Sequence, residues 1–150
     1  MTDIKSSEAR SQNMAKIKSK NTKPEVWFCK ELFKRGYRYR KNVKYIPGHP
    51  DAWLAKYNSA VFVNGCFWHR HQGCKYAYMP KSRVTFWEDK FRKNIERDRT
   101  VRRQLRDRGI RILIIWECTI KTMSKDTSIR ETVLDRVDGF MHSEECFLEL

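Results

Sequence analysis

The feature that most constrains this chain is residues 47–74, where a buried-strand pattern runs directly into a dense group of cysteines and histidines. Pro47-Gly-His-Pro-Asp51 predicts a turn with one carboxylate at the start of a strand, and Ala60-Val61-Phe62-Val63 predicts a buried strand. The loop-like segment 66–74 then contains two cysteines and two histidines. Oxygen ligands such as Asp51 suit magnesium, whereas thiolate and imidazole suit zinc. The stretch therefore offers two separate metal sites.

Hydrophobic periodicity on both sides of this stretch predicts one α/β domain. The predicted elements are, in order, a helix from the capping pattern at Thr22 to about Lys34, strands over 37–43, 51–54 and 59–63, a long helix over 82–108, a strand over 111–116 and a short helix over 126–138. Gly36 and Gly109 are the expected helix stops. The strand over 59–63, the long helix and the strand over 111–116 form a βαβ crossover. The C-terminal residues 140–150 are not assigned to any element.

The chain has 150 residues, which suits one domain with a single core. Residues 1–21 are polar and basic, with Met14 and Ile17 as apolar anchors. We interpret them as an arm that orders against DNA or a neighbour, with a disordered tail as the alternative. The domain itself is expected to span residues 22–150.

The charge is strongly asymmetric, with 32 Lys and Arg against 18 Asp and Glu and a net charge of +14. Such a balance favours a polyanionic partner, with nucleic acid first, although a basic protein can also simply be soluble. The sequence has neither a membrane-spanning apolar run nor an N-terminal signal-peptide pattern. We therefore expect a cytosolic protein whose five cysteines stay reduced and serve as metal ligands or core residues.

Cysteine and histidine side chains form the first chemical constellation. Cys66 and Cys74 are the favoured thiolate ligands of a zinc ion, one histidine between them supplies nitrogen, and Cys118 follows the apolar strand as a fourth ligand. The alternative, reduced cysteines in a core, fits poorly with so polar a loop. Cys29 and Cys146 are expected to be structural or free.

Carboxylates form the second constellation. Asp51, at a strand start, is a candidate metal ligand, with a turn-capping role as its alternative. Asp98 and Asn94 lie in phase with the buried stripe of the long helix, so both need partners. Asp98 would attract a cation or pair with a neighbouring Arg. Glu25 has a simple explanation as the acceptor in a capping box with Thr22.

Aromatic residues form the third constellation. Phe67 and Trp68 lie in the cysteine-rich loop, and Trp87 lies at the start of the long helix. Aromatic side chains beside basic residues can wedge between bases and unstack them. Packing around the zinc, or in the core for Trp87, is the alternative.

At these residues the sequence resembles the very short patch repair endonucleases, which nick DNA beside thymine in a T:G mismatch. The matching stretches are Ser11–Met14, Pro47–Asp51, Phe62–His69, Thr85–Trp87, Asn94–Asp98 and Ile115–Cys118. The resemblance covers about residues 8 to 120, and Gly-Cys-Phe-Trp-His at 65–69 is its most specific motif.

The resemblance implies a restriction-endonuclease-like αβββαβ core with a zinc-braced loop and a C-terminal helix. Asp51 and Val63 would hold catalytic magnesium, and His69 would act in general acid–base chemistry at the scissile phosphate. Glu25 would act through the metal-bound water. Asp98 and Asn64 would occupy the other catalytic positions. The implied zinc ligands are Cys66, His71, Cys74 and Cys118, and the implied DNA-binding residues are Phe67, Trp68, Trp87, Met14 and Asn94.

Asn64 departs from the family pattern, because members often carry His there and the wider fold carries Lys. An amide cannot donate a proton with the same strength, so the metal or His69 must carry more of the work. Spacing between His71 and Cys74 is also one residue longer than in some members, which zinc tolerates.

The implied function is magnesium-dependent nicking of double-stranded DNA at a T:G mismatch by a monomer in the bacterial cytoplasm, at the nucleoid. Other mismatch-repair proteins are expected as further partners. Two alternatives stay open from the residues alone. A zinc-stabilised DNA-binding module would explain the charge, the cysteines and the aromatics but leave Asp51 and Asp98 without a role. A nuclease without mismatch preference would use the same carboxylates.

Overall fold

A mixed four-stranded sheet forms the centre of the computed structural model, which describes residues 22–150. The elements in chain order are α1 (Lys23–Lys34), β1 (Ala52–Leu54), a 3-10 helix (Ala55–Tyr57), β2 (Ser59–Asn64), α2 (Val84–Asp107), β3 (Arg111–Trp116), α3 (Glu117–Lys125), α4 (Thr127–Met141) and β4 (Phe147–Glu149). The arm predicted over residues 1–21, with Met14, lies outside the described residues. Among the helices of the described chain, none is both long and apolar enough to cross a membrane.

Helices α1 and α2 end at glycines with the same capping geometry. Gly36 (φ +95°) and Gly109 (φ +70°) both adopt the left-handed conformation. After α1, the Gly36 N–H donates to the Phe33 carbonyl and the Tyr37 N–H donates to the Leu32 carbonyl. This is a Schellman motif, which favours a residue without a Cβ atom in the left-handed region. The helix stops predicted at the two glycines are therefore confirmed.

The sheet has the order β1-β2-β3-β4. β1 pairs antiparallel with β2, whereas β2 with β3 and β3 with β4 are parallel pairs. Helix α2 makes the crossover between the parallel strands β2 and β3. The register pairs Asn64 with Trp116, so the chain leaves both strands at the same edge of the sheet. Residues that follow these two strands are thereby brought close together.

Both faces of the sheet are covered, so β3 is buried along almost its whole length. Leu113 and Ile115 pack in one core with residues of α1, α3 and α4. Ile112 and Ile114 point the other way and pack with Leu105 of α2. A strand buried on both faces explains why Arg111–Trp116 is continuously apolar after its first residue.

The expected α/β architecture is confirmed, and it is consistent with a restriction-endonuclease-like fold, but the strand predicted over 37–43 is wrong in extent. Within it, only Arg40 pairs with the sheet, through an isolated bridge to Trp53. Asn42 is left-handed (φ 53°) and its N–H donates to the Pro50 carbonyl. This turn ends the ladder after one pair, although the alternating side chains suit a strand.

Two further elements were not predicted. Helix α3 begins directly at Glu117, where β3 ends. The unassigned C-terminal residues contain β4, which pairs with β3 and buries Leu148. Arg111 fastens this region, because its guanidinium donates to the carbonyls of Glu145 and Phe140. The sheet therefore has one more parallel strand than the sequence analysis predicted.

Candidate functional site

A cavity of about 410 Å³ lies between the loop before β1, the end of β2 and helix α2. The residues predicted for the site that line it are Asp51, Val63, Asn64, His69, Asn94 and Asp98. Four of the five predicted catalytic residues therefore meet in one place, and the fifth, Glu25, lies close to Asp51 on α1. These residues are far apart in the sequence, and they come together because α2 packs against the sheet as it crosses from β2 to β3.

Asp51 immediately precedes β1 and is anchored by the neighbouring strand. Its Oδ2 accepts a hydrogen bond of 2.6 Å from the Val63 N–H. Burial raises the pKa of its carboxyl to about 7, although the Val63 N–H lowers it, and the Glu25 charge adds to the rise. The charges of His69 and Lys41 act in the opposite direction. Asp51 is thus a carboxylate whose charged form is costly until a cation compensates it.

Glu25 is fully enclosed, with 2 % of its surface exposed, although it lies in the first turn of α1. The Thr22 hydroxyl caps the helix by accepting from the Glu25 N–H at 3.4 Å. The Glu25 carboxylate itself points inward, and its Oε1 accepts no hydrogen bond among the described residues. Lys41 Nζ lies 3.4 Å from that oxygen, an ion-pair distance without hydrogen-bond geometry. A capping role alone therefore does not account for this side chain.

His69 is oriented by α2. Its Nδ1 lies 2.8 Å from Asp98 Oδ2, so the partner that Asp98 required is a histidine rather than an arginine. One turn earlier on the helix, the Asn94 side chain donates to the Trp68 carbonyl at 3.1 Å. The two polar residues in phase with the buried stripe thus hold consecutive residues of the loop, which confirms that both needed partners.

A second group of side chains has the chemistry of a metal centre. The ligand atoms of Cys66, His71, Cys74 and Cys118 all lie within 4.8 Å of one another. Cys118 Sγ and His71 Nδ1 are 3.5 Å apart, and tetrahedral zinc with ordinary bond lengths would place such a pair about 3.5 Å apart. The grouping selects His71 over His69, the choice that the spacing alone left open.

The surroundings of the metal centre fit a bound cation. Burial raises the pKa of Cys66 to about 12, although the Cys118 N–H, 3.4 Å from its sulfur, lowers it. Burial likewise raises the pKa of Cys74, but hydrogen bonds from the Tyr76 N–H and from the neighbouring thiols lower it overall. Adjacent thiols compete for ionisation, so several thiolates together require a metal. His71 is held in place by stacking on Trp116 at 4.1 Å.

Phe67, Trp68 and Trp87 meet in one cluster of rings beside the cavity. Phe67 is central, with Trp68 at 5.2 Å, Trp87 at 5.4 Å and Phe91 at 5.2 Å between ring centroids. All three residues named from the sequence are half-buried. Tyr78 also packs on Phe67 and Phe86 on Trp87, so these rings form an aromatic ridge on the loop and the start of α2.

Arg70 and Lys41 are site residues that the sequence analysis missed. Arg70 donates to the carbonyls of Phe67, Ala77 and Tyr78, and its guanidinium lies 3.8 Å over the Phe91 ring. It therefore ties the loop to α2. The position of Arg70 between Cys66 and Cys74 was the sequence feature that could have identified it as a site residue. Lys41 stood in a segment that was interpreted as a half-exposed strand, and nothing in that pattern links it to Glu25.

Comparisons with known proteins identify relatives of this chain. A family model described as "DNA mismatch endonuclease Vsr" matches residues 2–75. The DNA mismatch endonuclease Vsr of Escherichia coli K12 is 34% identical over 144 residues, covering 96% of this chain and 90% of its own. The type II nicking enzyme V.NmeAIP of Neisseria meningitidis is 47% identical over 121 residues, 81% of this chain and 86% of the relative. The type II nicking enzyme V.XorIIP of Xanthomonas oryzae is 36% identical over 135 residues, which cover 90% of this chain and 98% of the relative.

The raised pKa of Asp51 generates a prediction about stability. The carboxyl titrates near 7 when folded and near 3.8 otherwise, so the folded state binds the extra proton between these values. Its contribution to stability is present at low pH and is lost as the pH rises to about 7. Asp51→Asn removes the buried charge and keeps an acceptor for Val63. Without magnesium, we expect the variant to be more stable than wild type. The difference between their free energies of unfolding should be larger at pH 8 than at pH 5.5, by about 1–2 kcal/mol.

Denaturant unfolding of both proteins at the two pH values measures this difference. Asp107→Asn, at an exposed position near the end of α2, is the control. Its free energy of unfolding should equal that of wild type at both pH values. A variant that is less stable at pH 8 than wild type would contradict the electrostatic account of Asp51.

Proposed function

Because this chain belongs to the DNA mismatch endonuclease Vsr family and is therefore a DNA endonuclease, we propose that it nicks double-stranded DNA beside the thymine of a T:G mismatch. This nick would initiate very short patch repair. The observation that carries the proposal is the meeting of Asp51 and the His69–Asp98 pair at one cavity. Phe67 and Trp68 directly precede His69 in the chain, so the loop that carries the histidine also carries the proposed base-stacking side chains.

Magnesium fits the cavity side of Asp51. The supporting observation is the buried Glu25 Oε1, which accepts no hydrogen bond among the described residues, next to a second buried carboxylate. Asp51 and the backbone of Val63 would hold the ion, and Glu25 would act through its bound water. When bound, magnesium supplies charge neutralisation at the phosphate and a lowered pKa for its water.

His69 is the residue suited to move a proton. Since its Nδ1 is engaged by Asp98, its Nε2 is the nitrogen available to the scissile phosphate. Asp98 favours the tautomer with the proton on Nδ1, which leaves Nε2 able to accept a proton from the attacking water. Once protonated at Nε2, His69 would be placed to donate that proton to the leaving oxygen.

Asn64 lines the same cavity as the last residue of β2. Its amide can donate a hydrogen bond to a phosphate oxygen but has no acidic proton to transfer. Asn64 therefore contributes to binding and orientation, and His69 carries the proton transfer.

The basic surface of α2 suits a DNA backbone. Its exposed cations include Lys90, Lys93, Arg97, Arg99 and Arg103, and the whole chain carries a net charge of +14. Arg97 also lines the cavity, so this surface is continuous with the proposed active site. Binding to phosphates releases counterions and should weaken as salt increases.

A nicking assay tests the proposed function directly. We expect magnesium-dependent cleavage of one strand in a T:G duplex, much slower cleavage of the matched duplex, and none with EDTA. Asp51→Asn should lower the rate at least about 100-fold because the metal loses its carboxylate ligand, while Asp107→Asn should cleave normally. Equal cleavage of both duplexes would leave a nuclease without mismatch preference. Full activity of Asp51→Asn would remove Asp51 from the mechanism.

Mismatch selectivity follows from the energetics of the aromatic ridge. Each aromatic side chain stacked on a base contributes about 1–3 kcal/mol, and unstacking a base step costs a few kcal/mol. These free energies are close, so insertion should succeed at a weakened T:G pair and fail at most matched pairs. Phe67 and Trp68 are suited to insertion because the metal centre and α2 hold their loop. Met14 and Asn94 stay predicted DNA contacts.

Trp68→Ala tests this insertion. We expect cleavage of the T:G duplex to fall at least about tenfold, the loss of one stacking interaction, while non-specific DNA binding changes little. A fluorescent base analogue beside the mismatch should report unstacking with wild type and less of it with the variant. Phe33→Ala is the control, because Phe33 is an exposed aromatic on α1. An unchanged fluorescence signal with wild type that still nicks the site would refute insertion.

We propose that the ion at Cys66, His71, Cys74 and Cys118 is zinc in a structural role. Three sulfurs and one imidazole nitrogen match a closed tetrahedral zinc site. Because Cys118 follows β3 and the other ligands follow β2, the ion would cross-link the loop to the sheet edge. Zinc binding would thereby stabilise the loop that carries His69 and Trp68.

Cys118→Ser is expected to lose zinc and to lower the thermal unfolding midpoint, since thiolate ligation couples metal binding to folding. Elemental analysis should find about one zinc per wild-type chain, as one four-ligand site requires. Cys146→Ser is the matched control, since Cys146 is exposed and outside the cluster. Wild-type protein that is folded and active without zinc would refute the structural role.

A further inference from the structure

Lys41 lies on a stretch of backbone that is fixed on both sides of it. Arg40 and Trp53 exchange two hydrogen bonds, of 3.1 Å and 2.8 Å, and the Asn42 N–H donates to the Pro50 carbonyl at 3.1 Å. Pro50 and Trp53 flank Asp51 in the chain. The backbone around Lys41 is therefore held beside the segment that contains Asp51.

The Lys41 side chain reaches the buried carboxylates. Its Nζ is 3.4 Å from Glu25 Oε1, and the exposed fraction is 32% for the Lys41 side chain but 3% for that of Glu25. Its positive charge also acts on Asp51 and on the buried thiol of Cys29. One ammonium group thus lies within electrostatic range of both carboxylates.

We propose that Lys41 is an internal counter-cation of the Glu25–Asp51 pair and that it competes with the divalent cation for this site. The inference rests on the proposed magnesium position at Asp51. When Glu25 and Asp51 are both ionised, Lys41 leaves one uncompensated negative charge for the metal. Like charges repel strongly in partly buried sites, so the ammonium lowers metal affinity in the absence of DNA. A phosphate from DNA would add negative charge and favour binding of the metal together with the substrate.

Lys41 is a positioning residue in this account, since it acts through Glu25 and Asp51. It keeps the buried carboxylates paired before the metal arrives, which avoids two uncompensated charges in the interior. This pairing with Lys41 also weakens metal binding. A purely structural lysine would instead support the carboxylates in every state, and its removal would weaken metal binding.

Metal binding without DNA separates these roles. The probe is Mn²⁺, a spectroscopically visible substitute for magnesium, titrated into zinc-loaded protein and followed by electron paramagnetic resonance. Lys41→Met should bind Mn²⁺ at least about tenfold more tightly than wild type, because one repelling charge is gone. Lys41→Arg keeps the charge and should bind as wild type does. Lys30→Met, at an exposed lysine of α1, is the matched control and should also leave the affinity unchanged.

Unchanged or weaker Mn²⁺ binding by Lys41→Met would overturn the proposal. Lys41→Gln, which keeps a polar group near Glu25, must show the same tightening, and both variants are compared at matched folded fractions from thermal unfolding. Asp51→Asn distinguishes the two levels of inference. If it abolishes Mn²⁺ binding while Lys41→Met changes nothing, only the counter-cation role fails. If it leaves binding intact, the metal position in the proposed function fails as well.

Discussion

The functional loop after β2 depends on being fixed from several directions at once, because it has no regular secondary structure of its own. A metal ion bound by Cys66 and Cys74 would hold its two ends. Helix α2 holds its middle, where Asn94 and Asp98 bind Trp68 and His69. A loop with so few backbone partners would otherwise sample many conformations at a large entropic cost. Since His69, Phe67 and Trp68 all lie on this loop, the proposed chemistry and the proposed recognition would share one structural support.

Strand register explains why the candidate metal ligands come together where they do. Asn64 of β2 pairs with Trp116 of β3 in the parallel ladder. Two residues beyond this pair come Cys66 and Cys118, so both thiols leave the same edge of the sheet and approach each other. The 3.4 Å contact from the Cys118 N–H to the Cys66 sulfur is the direct result. A shift of one residue in the register would turn the side chains to opposite faces and separate the ligands.

The sequence predicted the parts that depend on local chemistry and strong periodicity. Both glycine-capped helices and the buried strand β3 followed from such patterns, and the resemblance to a known family supplied the grouping of Asp51 with His69. Prediction from the sequence failed where tertiary contacts decide the structure. The alternating residues 37–43 suit a strand, but the turn at Asn42 limits pairing to Arg40. The short strand β4 has no distinguishing pattern, and its pairing depends on β3. Lys41 was missed for the same reason, since its partner Glu25 belongs to another element.

The proposed active site combines groups that are unfavourable in isolation. Burial and the neighbouring Glu25 charge raise the pKa of Asp51, and one oxygen of Glu25 accepts no hydrogen bond among the described residues. Such groups reduce stability, which the surrounding core on both sheet faces can sustain. A cation relieves the repulsion, and in the protein alone the Lys41 ammonium is placed to do so. In the proposed account, the site binds a second cation more tightly when further negative charge arrives. DNA brings that charge in its phosphates, so substrate binding itself would complete the electrostatic balance of the site.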